Sequence, residues 1–166
     1  MINSLRHPFR FLSKAVLTLN LVLWLLRLPV MLRIRTIPLL LKNLGRSENY
    51  KRNVLIELQD AVEIVTRICG LSVFRARVFP KLCLRQSLTL YRTLSRMGYP
   101  VQIHFGVIND ANGFQGHSWV TVEGKAVADT ARSEIFKAVY SYSSAYSLPA
   151  SSDRSEIKRS TKDPHV

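Results

Sequence analysis

The hydrophobic pattern opens with a run that carries no charge, AVLTLNLVLWLL at residues 15–26. Extended to Leu32, it is interrupted by Arg27 and Pro29. A helix of that length covers about 27 Å, marginal for a bilayer core. Phe9, Leu12, Val16, Leu19, Leu23 and Leu26 form a heptad-like stripe, but the other faces are nearly as apolar. Such a helix packs on the rest of the domain, lies on a membrane, or spans one. Arg27 and Pro29 disfavour the span, and RLPVML after the run lacks the small residues of a signal-peptide cleavage site.

Residues 53–70 (NVLIELQDAVEIVTRICG) repeat apolar positions at Val54, Leu58, Ala61, Val65 and Ile68, which predicts a helix with Asn53 as N-cap and Gly70 as stop. Pro80 opens a second periodic segment to Met97, with Leu84, Leu88, Tyr91 and Leu94 on its buried face and Gly98 and Pro100 beyond its end. The period then changes to two. Val101, Ile103, Phe105 and Val107 alternate with Gln102, His104 and Gly106, as in a half-buried strand. NDANG at 109–113 is a turn, SWVTV at 118–122 a strand, Glu123-Gly124-Lys125 a reversal, and AVAD at 126–129 the returning strand. From 141 the chain is Ser-rich and charged, a tail expected to be disordered.

Composition narrows the classes. The 166 residues suffice for one ordinary domain, and 47% apolar content excludes wholesale disorder. Two cysteines, Cys69 and Cys83, make no disulfide framework, and no Cys/His spacing suits a metal site. The net charge of +13 implies an anionic partner. Residues 1–52 hold ten basic groups against the single acid Glu48, set among aliphatic residues with few stacking aromatics. That composition favours an anionic membrane surface or another protein, and no nucleic-acid partner is expected.

Three positions are placed for chemistry. Cys83 falls in the first turn of the helix that follows Pro80, where unpaired N–H groups and the helix dipole favour a thiolate, with Lys81 and Arg85 alongside. Cys69, among apolar neighbours, reads as a core residue. His117 starts one strand and Asp129 ends the strand expected to pair with it. Both lie six residues from position 123, so a hairpin centred there sets them opposite each other within about one residue. A carboxylate beside an imidazole fixes its tautomer. If the helix N-terminus packs on that face, the three form a Cys-His-Asp triad. Taken singly, each has a plainer reading, as core, surface and turn residue. Trp119 shares the parity of His117, where it walls the site or fills core. The Cys83 N–H is one oxyanion donor, with Gln86 and Gln102 as candidates for the second.

The segments LCLRQSLTLYRTLSRMGYP, IHFGV and FQGHSWVTVEGKAVAD together resemble the transglutaminase-like cysteine proteases of lasso-peptide biosynthesis, most closely the C-terminal domain of the microcin-processing type. The resemblance covers about residues 75–131 and rests on Cys83-Leu84, Gly98, Gly106-Val107, His117 with Trp119-Val120, and Asp129, in order and spacing. Ser118 and Gly116 depart from the Ala usual there. The resemblance implies that Cys83, His117 and Asp129 are catalytic. It implies removal of the leader from a precursor peptide, whose new N-terminus an ATP-dependent lasso cyclase then joins to an acidic side chain. Residues 1–70 do not read as a winged-helix module, so leader recognition is expected from a separate protein.

The resulting expectation is an α+β fold with a papain-like or transglutaminase-like core, the Cys83 helix packed on an antiparallel sheet and preceded by N-terminal helices. Residues 1–52 form a basic hydrophobic helical segment, 53–140 the protease domain, and 141–166 the tail. The activity expected is leader peptidase, with no cofactor and no metal, in the cytoplasm or peripheral at the inner face of the membrane. Two other readings stand beside it: a different thiol acyl transfer or peptidase activity on the same triad, and a non-enzymatic membrane-associated scaffold.

Overall fold

The computed structural model describes residues 6–45, 56–75, 81–110, 113–128 and 133–144. The opening run forms α1 (Arg6–Ile34), which continues through Pro29, followed by α2 (Ile37–Leu44) with Pro38 in its first turn. The fold treats the two apolar faces of α1 differently. Leu21, Trp24, Leu25 and Leu28 are buried in the core. Half a turn away, Leu12, Val16, Leu19, Leu23, Leu26, Val30 and Ile34 are between 45% and 75% exposed. The inner face is pinned by polar contacts as well. Trp24 Nε1 donates to Thr89 Oγ1 at 3.2 Å, and Lys14 pairs with Asp60 at 2.9 Å.

Helix α3 (Leu58–Gly70) starts at the N-cap Glu57, later than the Asn53 start read from the sequence; Asn53 lies outside the described residues. A short 3₁₀ turn (Ser72–Arg75) follows. Helix α4 (Leu82–Arg96) ends as expected: Gly98 takes a φ of 82°, and its N–H and that of Tyr99 bond the carbonyls of Ser95 and Leu94. Leu88, Leu90, Tyr91 and Leu94 of α4 join α3, the inner face of α1, and the sheet residues Val101, Ile103, Val120 and Val122 in one core.

The sheet is antiparallel, in the order β3-β2-β1-β4, from β1 (Val101–Asp110), β2 (Gly113–Val122), β3 (Lys125–Val127) and β4 (Lys137–Ser143). Helices before an antiparallel sheet make the α+β arrangement expected. The 109–113 turn is tighter than NDANG suggests, because Asp110 already pairs with Gly113, and β2 therefore starts well before Ser118. The next reversal is a two-residue turn at Glu123 and Gly124, with φ of 51° and 79°, and Val122 pairs with Lys125. Strand β4 is a correction to the sequence reading. It carries the ordered chain past 141, where the tail was placed, because Tyr140 and Tyr142 alternate with small residues and pack on Phe105 and Tyr91. Residues 145–166 lie outside the described residues.

Candidate active site

Cys83 is the second residue of α4 and is half-buried. The first intrahelical bond runs from Arg85 N–H to the Lys81 carbonyl, so the Cys83 N–H has no partner within the helix and points toward its N-terminus. The first turn holds no acidic residue. Cys83 lines a small pocket between α4 and the sheet, with Ser87 and Leu90 on the helix side and Ser118, Trp119, Val120, Val127 and Ala128 on the sheet side. The Ser87 and Ser118 hydroxyls hydrogen-bond at 2.8 Å within it. A serine at 118 is therefore satisfied by a serine one helical turn beyond Cys83.

The charge placed beside Cys83 in the sequence reading is committed elsewhere. Arg85 is buried, and its guanidinium donates to the carbonyl oxygens of Phe74 and Cys69, the latter at 2.5 Å. It ties the end of α3 and the 3₁₀ turn to α4, where carbonyls lack helical partners. Of the two oxyanion candidates, Gln86 lines the pocket but donates its amide to Thr66 at 3.2 Å. Gln102 sits at the far end of β1, paired with Thr121 and Ser143. Burial pushes the Cys69 thiol up to about 11, as suits a core residue.

His117 lies inside β2, as its fifth residue, and is buried. Ser118 points at α4, so the alternation of β2 turns His117 and Trp119 to the other face of the sheet. There His117 stacks on Trp119 (centroids 6.0 Å apart, planes 15°) and on Phe136 (4.9 Å). Trp119 stacks in turn on His104 at 5.3 Å, and His104 is held by the Ser141 hydroxyl at Nδ1 (2.8 Å) and by Thr121 at Nε2 (2.9 Å). Burial lowers the pKa of His104.

Trp119 thus shares its face with His117, as its parity predicts, and its partner His104 was read in the sequence as no more than an alternating polar residue. The signal that would have found it is the register of the first hairpin, which sets His104 opposite Trp119. Gly106 serves the same row: a Cβ there would come within 2.7–2.8 Å of the Trp119 ring. No hydrogen bond between Cys83 and His117 is among the described contacts. Asp129 lies outside the described residues, so the third member of the triad is not placed. The local geometry before it is defined. Strand β3 ends at Val127, opposite Val120, and Ala128 takes a φ of 73° that turns the chain out of the ladder. From Trp119 back toward Gly113, β2 has no described neighbour on that side, and the Cys83 pocket meets the sheet at this gap.

The arrangement supplies a cysteine at a helix N-terminus, a gap in the sheet edge above it, and an imidazole held flat by aromatic neighbours two residues along the strand that borders the gap. Among the described residues no group of His, Cys, Asp and Glu is placed to hold a metal. No curated protein and no solved structure matches the chain at a significant level. The pattern of the transglutaminase-like superfamily does match, over residues 22–141, from the middle of α1 through the sheet. The chain belongs to the transglutaminase-like superfamily.

Proposed function

We propose that the protein is a cysteine peptidase that removes the leader from a ribosomally made lasso-peptide precursor, with Cys83 as nucleophile, His117 as base and then acid, and Asp129 as the residue that orients His117. Membership of a superfamily of thiol peptidases and acyl transferases supports the coarse activity. The observation that carries the reading is the position of Cys83, at the N-terminus of α4 and beneath the gap beside the strand that bears His117. The reading requires the imidazole to meet the thiol around this uncovered edge in the substrate complex, where catalytic contacts tighten.

The chemistry then follows in balance. Sγ gives its proton to the imidazole and attacks the scissile carbonyl, and the oxyanion is met by the Cys83 N–H. The C–N bond breaks, the departing amine takes the proton from the imidazolium, and a thioester remains. Water, deprotonated by the imidazole, releases the leader carboxylate and restores the thiol. The amine that leaves is the new N-terminus of the core peptide, which an ATP-dependent lasso cyclase joins to an acidic side chain. A separate recognition protein presents the leader, in the cytoplasm or at the inner face of the membrane.

The test is leader removal from a lasso precursor by the purified protein with its recognition partner, read by mass spectrometry. Cys83→Ala and His117→Ala should each lower turnover by about 10³-fold or more, with Asp129→Asn retaining weak activity. Undiminished cleavage by Cys83→Ala would refute the mechanism.

A further inference from the structure

Among the described residues, the outer face of α1 has no partner. Its apolar stripe runs from Leu12 to Ile34, about 33 Å of helix. At 3.6 residues per turn, the exposed Arg27 and Arg33 fall on either side of it. No acidic residue precedes Glu48. On the Arg27 side, a groove of about 360 Å³ runs between α1 and the second half of α4. Leu12 and Val16 of the stripe form one wall, and Arg92 and Arg96 stand on the other. The Arg92 guanidinium lies over the Trp24 ring at 4.7 Å. Burial, then the neighbouring charges of Arg96 and Arg27, lower its pKa to about 10. Two like charges, Arg92 and Arg96, therefore stand at an apolar groove, with Arg27 near enough to Arg92 to add to the repulsion, and no described salt bridge neutralises them.

We propose that this face of the molecule lies in the plane of an anionic bilayer, with the α1 stripe among the acyl chains, a lipid phosphate in the groove beside Arg92 and Arg96, and Arg27 flanking it on the α1 side. Charge complementarity selects this occupant. A second copy would bring the flanking arginines of two α1 helices together with no carboxylate on either helix to pair them. A span is long enough by composition, over Leu12–Ile34. It would, however, pull Leu21, Leu25 and Leu28 out of the core and break the bond from Trp24 to Thr89. The proposal uses none of the bond-cleaving residues and stands or falls apart from the peptidase reading.

The experiment is flotation of the full-length protein with phosphatidylcholine vesicles, with and without phosphatidylglycerol. The wild type should float with the anionic vesicles, less so at high salt, and poorly with neutral ones. Arg27→Gln with Arg96→Gln should weaken binding roughly 30-fold, about fivefold for each charge near the surface. Leu19→Glu, at an exposed position, should abolish it while the circular dichroism spectrum stays that of the wild type. Equal binding to neutral vesicles, or undiminished binding by the double arginine variant, would overturn the phosphate groove. A dimer in sedimentation that Leu19→Glu dissociates would assign the stripe to a second copy, and retention of cellular protein through carbonate would show a span; either overturns the proposal.

Discussion

Arg85 reads in the sequence as a charge beside a nucleophile, two positions from Cys83 on the same helix turn. Its guanidinium instead closes the end of α3 on the carbonyls of Cys69 and Phe74. Proximity along the chain does not fix where a long side chain sends its charge, and no one-dimensional pattern marks those acceptors. The two cysteines were more legible, because local hydrophobicity separates a core thiol from one at a helix N-terminus. His104 makes a prediction at the same scale. Burial holds its folded-state pKa below the ordinary 6.5, so the unfolded chain takes up the proton first. Stability from this group is complete above about pH 6.5 and declines as the pH falls toward the lowered folded value. The melting temperature should therefore drop more for the wild type than for His104→Gln between about pH 7.5 and 5.5. Equal drops would show that the stack does not depend on a neutral His104.

Helix α4 was legible as an element because its signals are local: an apolar face of period 3.6, Gly98 at its end, and Pro100 beyond. The sheet was legible in part. Alternation identified β1 and the parity of His117 and Trp119, but register depends on turn length: NDANG suggests five turn residues and Glu123-Gly124-Lys125 three, whereas each turn has two residues between paired positions. At the second turn that single-residue difference decides which residues face each other, since side chains alternate between faces. Strand β4 was hidden because its polar positions are serines, which merge with the composition of the following tail. Gly106 makes the prediction at this scale. It leaves room for Trp119 to lie across β1, and a methyl group there also meets the Lys137 carbonyl at 2.9 Å. Gly106→Ala should destabilise the protein by about 1–3 kcal/mol in chemical denaturation and reduce turnover, because the ring that holds His117 must move. Unchanged stability would mean that the register irregularity between Phe105 and Gly106 in the β1–β4 pairing absorbs the methyl group.

At the scale of the whole molecule, one helix layer serves two surfaces. The inner face of α1 completes the core around α4, which in turn presents Cys83 to the gap in the sheet. The outer face remains apolar and flanked by arginine. The sequence shows that α1 is apolar on nearly every side. Which side meets the core follows from packing against α3 and α4, and long-range contacts leave no local signature. The match of the superfamily pattern from residue 22 onward agrees with this packing, in which α1 shares a core with the sheet.

The central claim is that Cys83 and His117 act as one unit across the edge of β2. It is tested most directly by the rate at which a peptidyl chloromethyl ketone, which fills the pocket before it alkylates, labels Cys83 in the wild type and in His117→Ala, with buried Cys69 as the internal reference. A thiol that passes its proton to an imidazole attacks faster than one that does not. Labelling of Cys83 should slow by about 10²-fold or more in His117→Ala while that of Cys69 stays unchanged. Equal rates of Cys83 labelling in the two proteins would contradict the claim.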